Sequence, residues 1–239
     1  MLTVLLYLLR SLSEDLLGDF GKALKNIDPE SCDSLSLNKS SLIKHLYLKS
    51  DVKTISTTPS ARAYELVVTS FDQNKDFSIK VTSKKLCTSN CQTRTDDRKQ
   101  NLSVFQTQEI KKDKVIKSIN ELINSYYHPS GKCGVCKNPK KFEITCENPP
   151  MIIAIDPTKN LLPVAEKINF LQYHYTLFAV AYNKDNHFVA LIKFNCKILK
   201  YDGLTNDGRL SYYNKNKFSC YLENLKEKAV MYWYRRLII

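Results

Sequence analysis

Residues 175–202 read YTLFAVAY-NKDN-HFVALIKF-NC-KILKYD, and this stretch decides the fold of the second half of the chain. It holds three runs of β-favouring residues separated by short polar linkers, which is typical of consecutive antiparallel strands. The runs are Tyr175 to Tyr182, Phe188 to Phe194 and Ile198 to Tyr201. Adjacent antiparallel strands joined by a turn bring the start of one beside the end of the next. The pattern therefore predicts that His187 and Asp202 lie side by side.

His187 and Asp202 have residue types that suit nucleophilic catalysis by a thiol. A carboxylate fixes the tautomer of an imidazole, and the imidazole then removes the proton of the nucleophile. The pair also has a structural interpretation. A single histidine at a strand edge is usually structural, and Asp202-Gly203 is a common turn dipeptide. The residues alone leave both interpretations open.

The regions around this stretch separate into helices first and strands later. Leu2 to Leu17 predicts a buried helix, and Val115 to Tyr126 predicts an amphipathic one, with a hairpin from Tyr64 to Thr82 between them. After Pro149-Pro150, Met151 to Ile155 is typical of a strand buried on both faces, and Val230 to Leu237 predicts the last strand. This segregation favours an α+β fold over alternating βαβ units.

Two pairs of cysteines have the spacing of metal-binding loops. Cys87 and Cys91 form C-x3-C, and Cys133 and Cys136 form C-x2-C. Two such loops close a four-coordinate structural zinc site, because each lets two thiolates reach one ion. Buried cysteines without a metal are the alternative, since a thiol also behaves as a small hydrophobe. Cys87 and Cys91 are the weaker pair, because C-x3-C departs from the tighter C-x2-C loop. Cys146 and His128 are the substitute ligands for this pair.

Composition and charge exclude several classes of protein. The 239 residues are 43% hydrophobic and 25% charged, which argues against wholesale disorder. No apolar run reaches the roughly 18 residues of a membrane span. The formal charge of +12 is interpreted as a solvated, Lys-rich surface. Arg10 follows the first apolar run, on the wrong side for a signal peptide, so we expect reduced thiols and a cytoplasmic or nuclear protein.

The order of these features resembles the ubiquitin-specific proteases, a family of cysteine proteases, across nearly the whole chain. The paired-cysteine insert, the Pro-led strand after Pro150 and Asn186-His187-Phe188 correspond to the family's zinc loops, palm strand and Gly-His-Tyr box. Tyr201-Asp202 corresponds to its third catalytic residue. Residues 229–236, AVMYWYRR, are similar to its closing strand, often Ala-Tyr-x-Leu-Phe-Tyr-x-Arg.

This resemblance implies a papain-like cysteine-protease fold over residues 1–239 as a single domain. Its parts are a helical thumb at 1–60, zinc-ribbon fingers with a connecting helix at 61–148, and an antiparallel β palm at 149–239. It implies His187 as general base and Asp202 as the residue that orients it. It also implies a structural zinc ion with no open position, held by Cys87, Cys91, Cys133 and Cys136. We expect a monomer whose partner is ubiquitin or a ubiquitin-like protein such as SUMO, without a membrane partner.

The chain departs from the family at several places, and Asp156-Pro157 stands where the family tends to have basic and aromatic residues. Asn186 replaces the glycine before His187, and the segment between Val180 and His187 is shorter than in the family. The family's nucleophile opens its leading helix, and Met1 to Leu6 aligns just past that position. We therefore expect the sequence to begin shortly after the nucleophile and to be inactive as written. Cys32 lies beyond the leading helix and is interpreted as structural.

Three functions follow as alternatives from the sequence. The first is a thiol isopeptidase domain that removes ubiquitin or a ubiquitin-like modifier, with its nucleophile upstream of Met1. The second is a catalytically inactive relative that binds the modifier without cleaving it. The third, ranked last, is a basic zinc-containing nucleic-acid-binding protein. That class requires exposed aromatics among Lys and Arg on one face, whereas the aromatics here alternate within strands.

Overall fold

The computed structural model describes residues 81–87, 104–106, 117–127, 132–138, 140–146, 149–157, 162, 164–184, 187–194, 197–202, 204–205, 210–213 and 229–238. The predicted thumb, the run from Tyr64 to Phe71, and Cys32 and Cys91 lie outside these residues. Within them the chain forms one short helix and ten strands, most of them antiparallel.

The helix, α1, spans Ile119–Tyr127. The strands are, in chain order, β1 Val81–Cys87, β2 Val104–Gln106, β3 Lys140–Cys146, β4 Ile152–Asp156, β5 Lys167–Phe170, β6 Tyr173–Lys184, β7 His187–Phe194, β8 Lys197–Asp202, β9 Leu210–Tyr213 and β10 Ala229–Arg236.

Eight of these strands form the main sheet. Its order is β2-β4-β10-β6-β7-β8-β9, and β5 pairs with residues 173–176 at the start of β6. Every pairing is antiparallel except that of β2 with β4. β10, the last strand in the chain, lies between β4 and β6, so the end of the chain holds the two halves of the sheet together.

The three apolar runs of residues 175–202 form three neighbouring antiparallel strands, as the sequence predicts. They correspond to β6, β7 and β8, and each strand extends beyond its apolar run into polar residues. The predicted strand after Pro150 is β4, whose five residues are all buried. The predicted last strand is β10.

Helix α1 packs against the main sheet. Its apolar residues Ile119, Leu122 and Ile123 belong to the buried cluster that also contains residues of β4, β6, β7 and β10. The apolar pattern begins at Val115, but the helix begins at Ile119 because Ser118 caps it. The Ser118 hydroxyl accepts a hydrogen bond from the Glu121 backbone N–H, and the Glu121 carboxylate accepts one from the N–H of Lys117.

Strands β1 and β3 form a separate two-stranded antiparallel ribbon, in which Val81 pairs with Cys146 and Cys87 pairs with Lys140. The apolar runs did not predict β3, because its sequence KKFEITC opens with two lysines. They also did not predict β2, β5 or β9, which are each only three or four residues long. In the part of the chain that is described, no helix has the length and apolar character to cross a bilayer.

Tyrosine hydroxyls in the core differ in their partners. The Tyr234 hydroxyl donates to the carbonyl of Ala165 at 2.9 Å, and that of Tyr175 donates to the carbonyl of Pro150 at 2.8 Å. The Tyr232 hydroxyl is fully buried and has no hydrogen-bond partner among the described residues. Burial raises the pKa of Tyr232 to about 12.

We predict that Tyr232→Phe leaves the free energy of unfolding unchanged or raises it, because it removes a buried polar atom that gains no hydrogen bond. Tyr234→Phe is the matched control and should lower it by about 1 kcal/mol or more, because the Ala165 carbonyl loses its donor. Denaturant unfolding of the three proteins measures both effects. Equal destabilisation by the two substitutions would contradict the assignment.

Candidate functional site

His187 and Asp202 lie on neighbouring strands of the main sheet. His187 opens β7 and Asp202 closes β8, and the register places Asp202 opposite Val189. Because side chains alternate along a strand, His187 lies on the same face as Val189, two residues later. Asp202 and His187 therefore project from one face of the sheet at its β7–β8 end.

The two side chains are in direct contact. His187 Nε2 lies 3.0 Å from Asp202 Oδ1, as predicted from the strand order. Asp202 Oδ1 also accepts a hydrogen bond from the backbone N–H of Leu204 at 3.2 Å, which fixes the turn after β8. The Asp202 side chain is 3% exposed and that of His187 is 20% exposed. The carboxylate is thus buried, whereas the imidazole retains an exposed edge.

A charged side chain on β8 also contacts the Asp202 carboxylate. Lys200 Nζ lies 3.4 Å from Asp202 Oδ2. Burial by itself raises the pKa of Asp202, but the hydrogen bonds from Leu204 and His187 and the Lys200 ammonium outweigh it. The pKa of Asp202 is therefore lowered from its ordinary value of 3.8. Asp202 is a carboxylate at neutral pH.

The contact with Asp202 determines what the imidazole can do. A carboxylate only accepts hydrogen bonds, so in neutral His187 the proton resides on Nε2 and is donated to Asp202 Oδ1. Nδ1 is then the nitrogen with a free lone pair. The arrangement can therefore take up a proton at Nδ1 while Asp202 stabilises the imidazolium that forms.

Sequence reasoning missed two polar neighbours of Asp202. Lys200 is two residues before Asp202 on β8, and Tyr182 on β6 pairs with Val189, which pairs with Asp202. Burial, with the nearby Tyr213 hydroxyl and the Asp202 carboxylate, raises the pKa of Tyr182 to about 12, so Tyr182 is neutral. Side chains two residues apart on a strand share a face, so the sequence could have identified Lys200 as a neighbour of Asp202. Tyr182 is identified only by the pairing of β6 with β7 and of β7 with β8.

Three cysteines form a second cluster on the ribbon. Cys87 ends β1, and Cys133 and Cys136 lie in the turn that precedes β3. Their sulfur atoms all lie within 4.8 Å of one another, and the sulfurs of Cys87 and Cys136 are 3.2 Å apart. No disulfide joins the four cysteines in the described part of the chain. The three thiols can hold a metal ion.

Backbone hydrogen bonds shape the turn that carries Cys133 and Cys136. The Cys133 N–H donates to the carbonyl of Asn138 at 2.8 Å, and the Lys137 N–H donates to that of Cys133 at 3.0 Å. Lys137 has a φ of 62°, in the left-handed region that reverses the chain. The backbone N–H groups of Cys136 and Val135 lower the pKa of Cys133, which favours the thiolate that a metal requires.

The fit of this cluster to a tetrahedral metal follows from its dimensions. A zinc–sulfur bond of about 2.3 Å with tetrahedral angles places the sulfurs about 3.8 Å apart. The observed spread is compatible with that distance after small movements. Cys91 and His128 lie outside the described residues. Cys146 is at the opposite end of the ribbon from Cys87, six residues or about 20 Å along the strand, and is not part of the cluster.

No protein-family model and no curated protein matches the sequence. Solved structures of the SAGA DUB module, Ubp8/Sgf11/Sus1/Sgf73, resemble the fold. The module bound to monoubiquitin is 16% identical with a TM-score of 0.45, covering 69% of this chain and 42% of that one. The module bound to ubiquitin aldehyde is 14% identical with a TM-score of 0.39, covering 70% of this chain and 43% of that one. A yeast module with mutant Sgf73 is 14% identical with a TM-score of 0.37, covering 92% of this chain and 53% of that one.

The chain thus spans about half the length of the solved chains that it matches. With TM-scores below 0.5, these likenesses determine neither the activity nor the partners of this chain.

We predict that Asp202 makes stability depend on pH in the acid range. The unfolded chain binds a proton at Asp202 near pH 3.8, and the folded chain binds it only at lower pH. The stabilisation is therefore complete above about pH 4 and is lost as the pH falls through the folded pKa. Asp202→Asn should lower the Tm most at neutral pH and progressively less below about pH 4.

Thermal unfolding followed between neutral and acid pH checks this dependence. Ser211→Ala is the control, because Ser211 lies on the adjacent strand β9, donates to the Lys200 carbonyl and does not titrate. It should change the Tm by the same amount at every pH. A difference in Tm between Asp202→Asn and the wild type that stays constant with pH would contradict the prediction, because the Asp202 carboxyl would then have the same pKa in the folded and unfolded chain.

Proposed function

We propose that the chain is a thiol isopeptidase domain similar to the ubiquitin-specific proteases and that it acts on ubiquitin or a ubiquitin-like modifier. The observation that carries this proposal is the 3.0 Å contact between His187 Nε2 and the buried carboxylate of Asp202. The sequence resemblance supports it independently, because the order of its motifs places the same two residues in the roles of base and orienter.

In this function His187 is the general base and Asp202 orients it. Nδ1 takes the proton of a cysteine thiol, and the thiolate attacks the carbonyl carbon at the C-terminus of the modifier. His187 then gives the proton to the leaving lysine amine as the thioester forms, and water later hydrolyses the thioester. The described cysteines lie in the ribbon, and none is on a strand that carries His187 or Asp202.

We further propose a structural zinc ion bound by Cys87, Cys133 and Cys136, with Cys91 as the fourth ligand. Three sulfurs within 4.8 Å and a turn whose N–H groups favour thiolate support this ligand set. Zinc would join the end of β1 to the turn before β3 and would have no open position for chemistry. The ribbon would then be the fingers of a single domain, with the thumb at 1–60 and the palm at 149–239.

The proposed partner is ubiquitin, with SUMO as the second candidate. The thiol chemistry and the cysteine ligands both require reduced cysteines, so the proposed location is the cytoplasm or nucleus. A monomeric state is part of the same proposal.

We predict about one zinc ion per chain in protein purified under reducing conditions without chelator. Cys133→Ser should lower the zinc content and the Tm, because the site loses a central thiolate. Cys146→Ser is the matched control, since Cys146 is a buried cysteine of the same ribbon outside the cluster, and it should retain the metal. Metal analysis that finds no zinc in the wild-type protein would reject the site.

We predict that the chain binds ubiquitin and that cleavage, where it occurs, depends on His187. The measurements are calorimetric titration with ubiquitin or SUMO and release of a fluorogenic amide from the ubiquitin C-terminus. Both are made on the 239-residue chain and on a chain extended ahead of Met1 by a family-like Asn-x-Cys segment. His187→Ala should abolish cleavage because the thiol loses its base. His174→Ala is the control, because His174 is an exposed histidine near the start of β6, whereas His187 opens β7.

The outcomes separate the candidate functions. Cleavage that His187→Ala abolishes and His174→Ala retains supports the isopeptidase. Binding of ubiquitin without cleavage in either chain supports the inactive modifier-binding protein instead. If the protein neither binds nor cleaves ubiquitin or SUMO, the proposal is overturned.

A further inference from the structure

The two oxygens of the buried Asp202 carboxylate have unequal partners. Oδ1 accepts hydrogen bonds from His187 Nε2 and from the Leu204 backbone N–H. Oδ2 is buried and receives no hydrogen bond within the described ranges. The charged group beside it is the Lys200 ammonium, 3.4 Å away. A buried carboxylate oxygen is costly unless charge compensates it, and Lys200 supplies that charge.

The fold gives Lys200 a fixed place beside Asp202. The two residues are separated by one position on β8, so both project from the same face. Lys200 pairs with Leu191 on β7, and its carbonyl accepts a hydrogen bond from the Ser211 hydroxyl on β9. The backbone of Lys200 is thus held from both sides. Its side chain is 22% exposed, so the ammonium reaches Oδ2 while remaining partly hydrated.

We propose that Lys200 is a positioning residue that holds the Asp202 carboxylate in the orientation that presents Oδ1 to His187. The role of Lys200 in catalysis rests on the proposed thiol isopeptidase function, but its effect on Asp202 does not. A carboxylate rotates readily about its Cβ–Cγ bond. With His187 and Leu204 on Oδ1 and the Lys200 ammonium beside Oδ2, one rotamer gives hydrogen bonds to the first oxygen and a compensating charge to the second.

The other described groups near Asp202 do not replace Lys200. Tyr182 on β6 is a neutral hydroxyl, because its pKa is raised to about 12 by burial and by nearby Tyr213 and Asp202. Tyr213 on β9 is partly buried. Lys184 on β6 pairs with His187 in the register, on the far side of the imidazole from β8. Lys200 is the cation that contacts the carboxylate directly.

The test compares three variants of the full chain. Lys200→Met removes the charge while retaining the length of the side chain, and Lys200→Arg retains the charge. Lys193→Met is the matched control, an exposed lysine at the opposite end of β7 from His187. Two NMR measurements that need no enzymatic activity are made on each protein. Carbon shifts follow protonation of the Asp202 carboxyl, and nitrogen shifts report the share of the Nε2–H tautomer of neutral His187.

We expect Lys200→Met to raise the protonation midpoint of Asp202, because a cation next to a carboxylate lowers its pKa. The share of the Nε2–H tautomer should fall, since the carboxylate is no longer held against Nε2. Lys200→Arg should restore both values, and Lys193→Met should match the wild type. A purely structural lysine would change the Tm but neither NMR value.

An unchanged midpoint and tautomer in Lys200→Met would overturn the positioning role and leave the proposed function intact. If both NMR values change while wild-type protein neither binds nor cleaves ubiquitin or SUMO, the isopeptidase proposal fails and the effect of Lys200 on Asp202 stands.

Discussion

The antiparallel pairing of β7 with β8 is the constraint on which the candidate site depends. It places Asp202 opposite Val189 and therefore on the face of His187. A slip of one residue would turn Asp202 to the other face, away from His187. Phe194 at the end of β7 pairs with Lys197 at the start of β8, so a connection of two residues joins the strands and fixes their register. The geometry of the polar pair is thus set by the short connection at the other end of the two strands.

The ribbon of β1 and β3 is stabilised differently from the main sheet. The main sheet has a continuous apolar core that includes helix α1, whereas the ribbon has two strands only. Isolated two-stranded sheets are marginally stable in water, so a ribbon gains from a covalent or metal crosslink. The cluster of Cys87, Cys133 and Cys136 lies at the end of the ribbon where such a crosslink closes it. Cys146 and Ile144 join the opposite end of the ribbon to the main core, so the proposed zinc ion would hold the end that lies away from that core.

Much of the main sheet could be predicted because its central strands are continuous apolar runs. Such runs predict β4, β6, β7, β8 and β10. β6, β7 and β8 extend outward where the ladder continues into polar residues, whereas β4 and β10 are each shifted by one residue from the predicted bounds. β3 was missed because its first residues are lysines, and β5 because four alternating residues give a weak signal. The apolar pattern predicts that α1 begins at Val115, which is too early. The helix begins at Ile119, because the Ser118 hydroxyl caps its first turn by accepting a hydrogen bond from the Glu121 N–H.

The sequence by itself determined the contact of His187 with Asp202, because neighbours in the chain joined by a short turn become neighbours in an antiparallel sheet. It likewise determined the loop of Cys133 and Cys136, since C-x2-C spacing is a local property of the backbone. Only the tertiary structure brought Cys87 to that loop, by pairing β1 with a strand more than fifty residues later. It also decided the burial of Asp202 and the contact of Lys200 with Oδ2. Burial depends on the packing of distant segments, and that packing minimises exposed apolar area over the whole chain rather than within any one window of sequence.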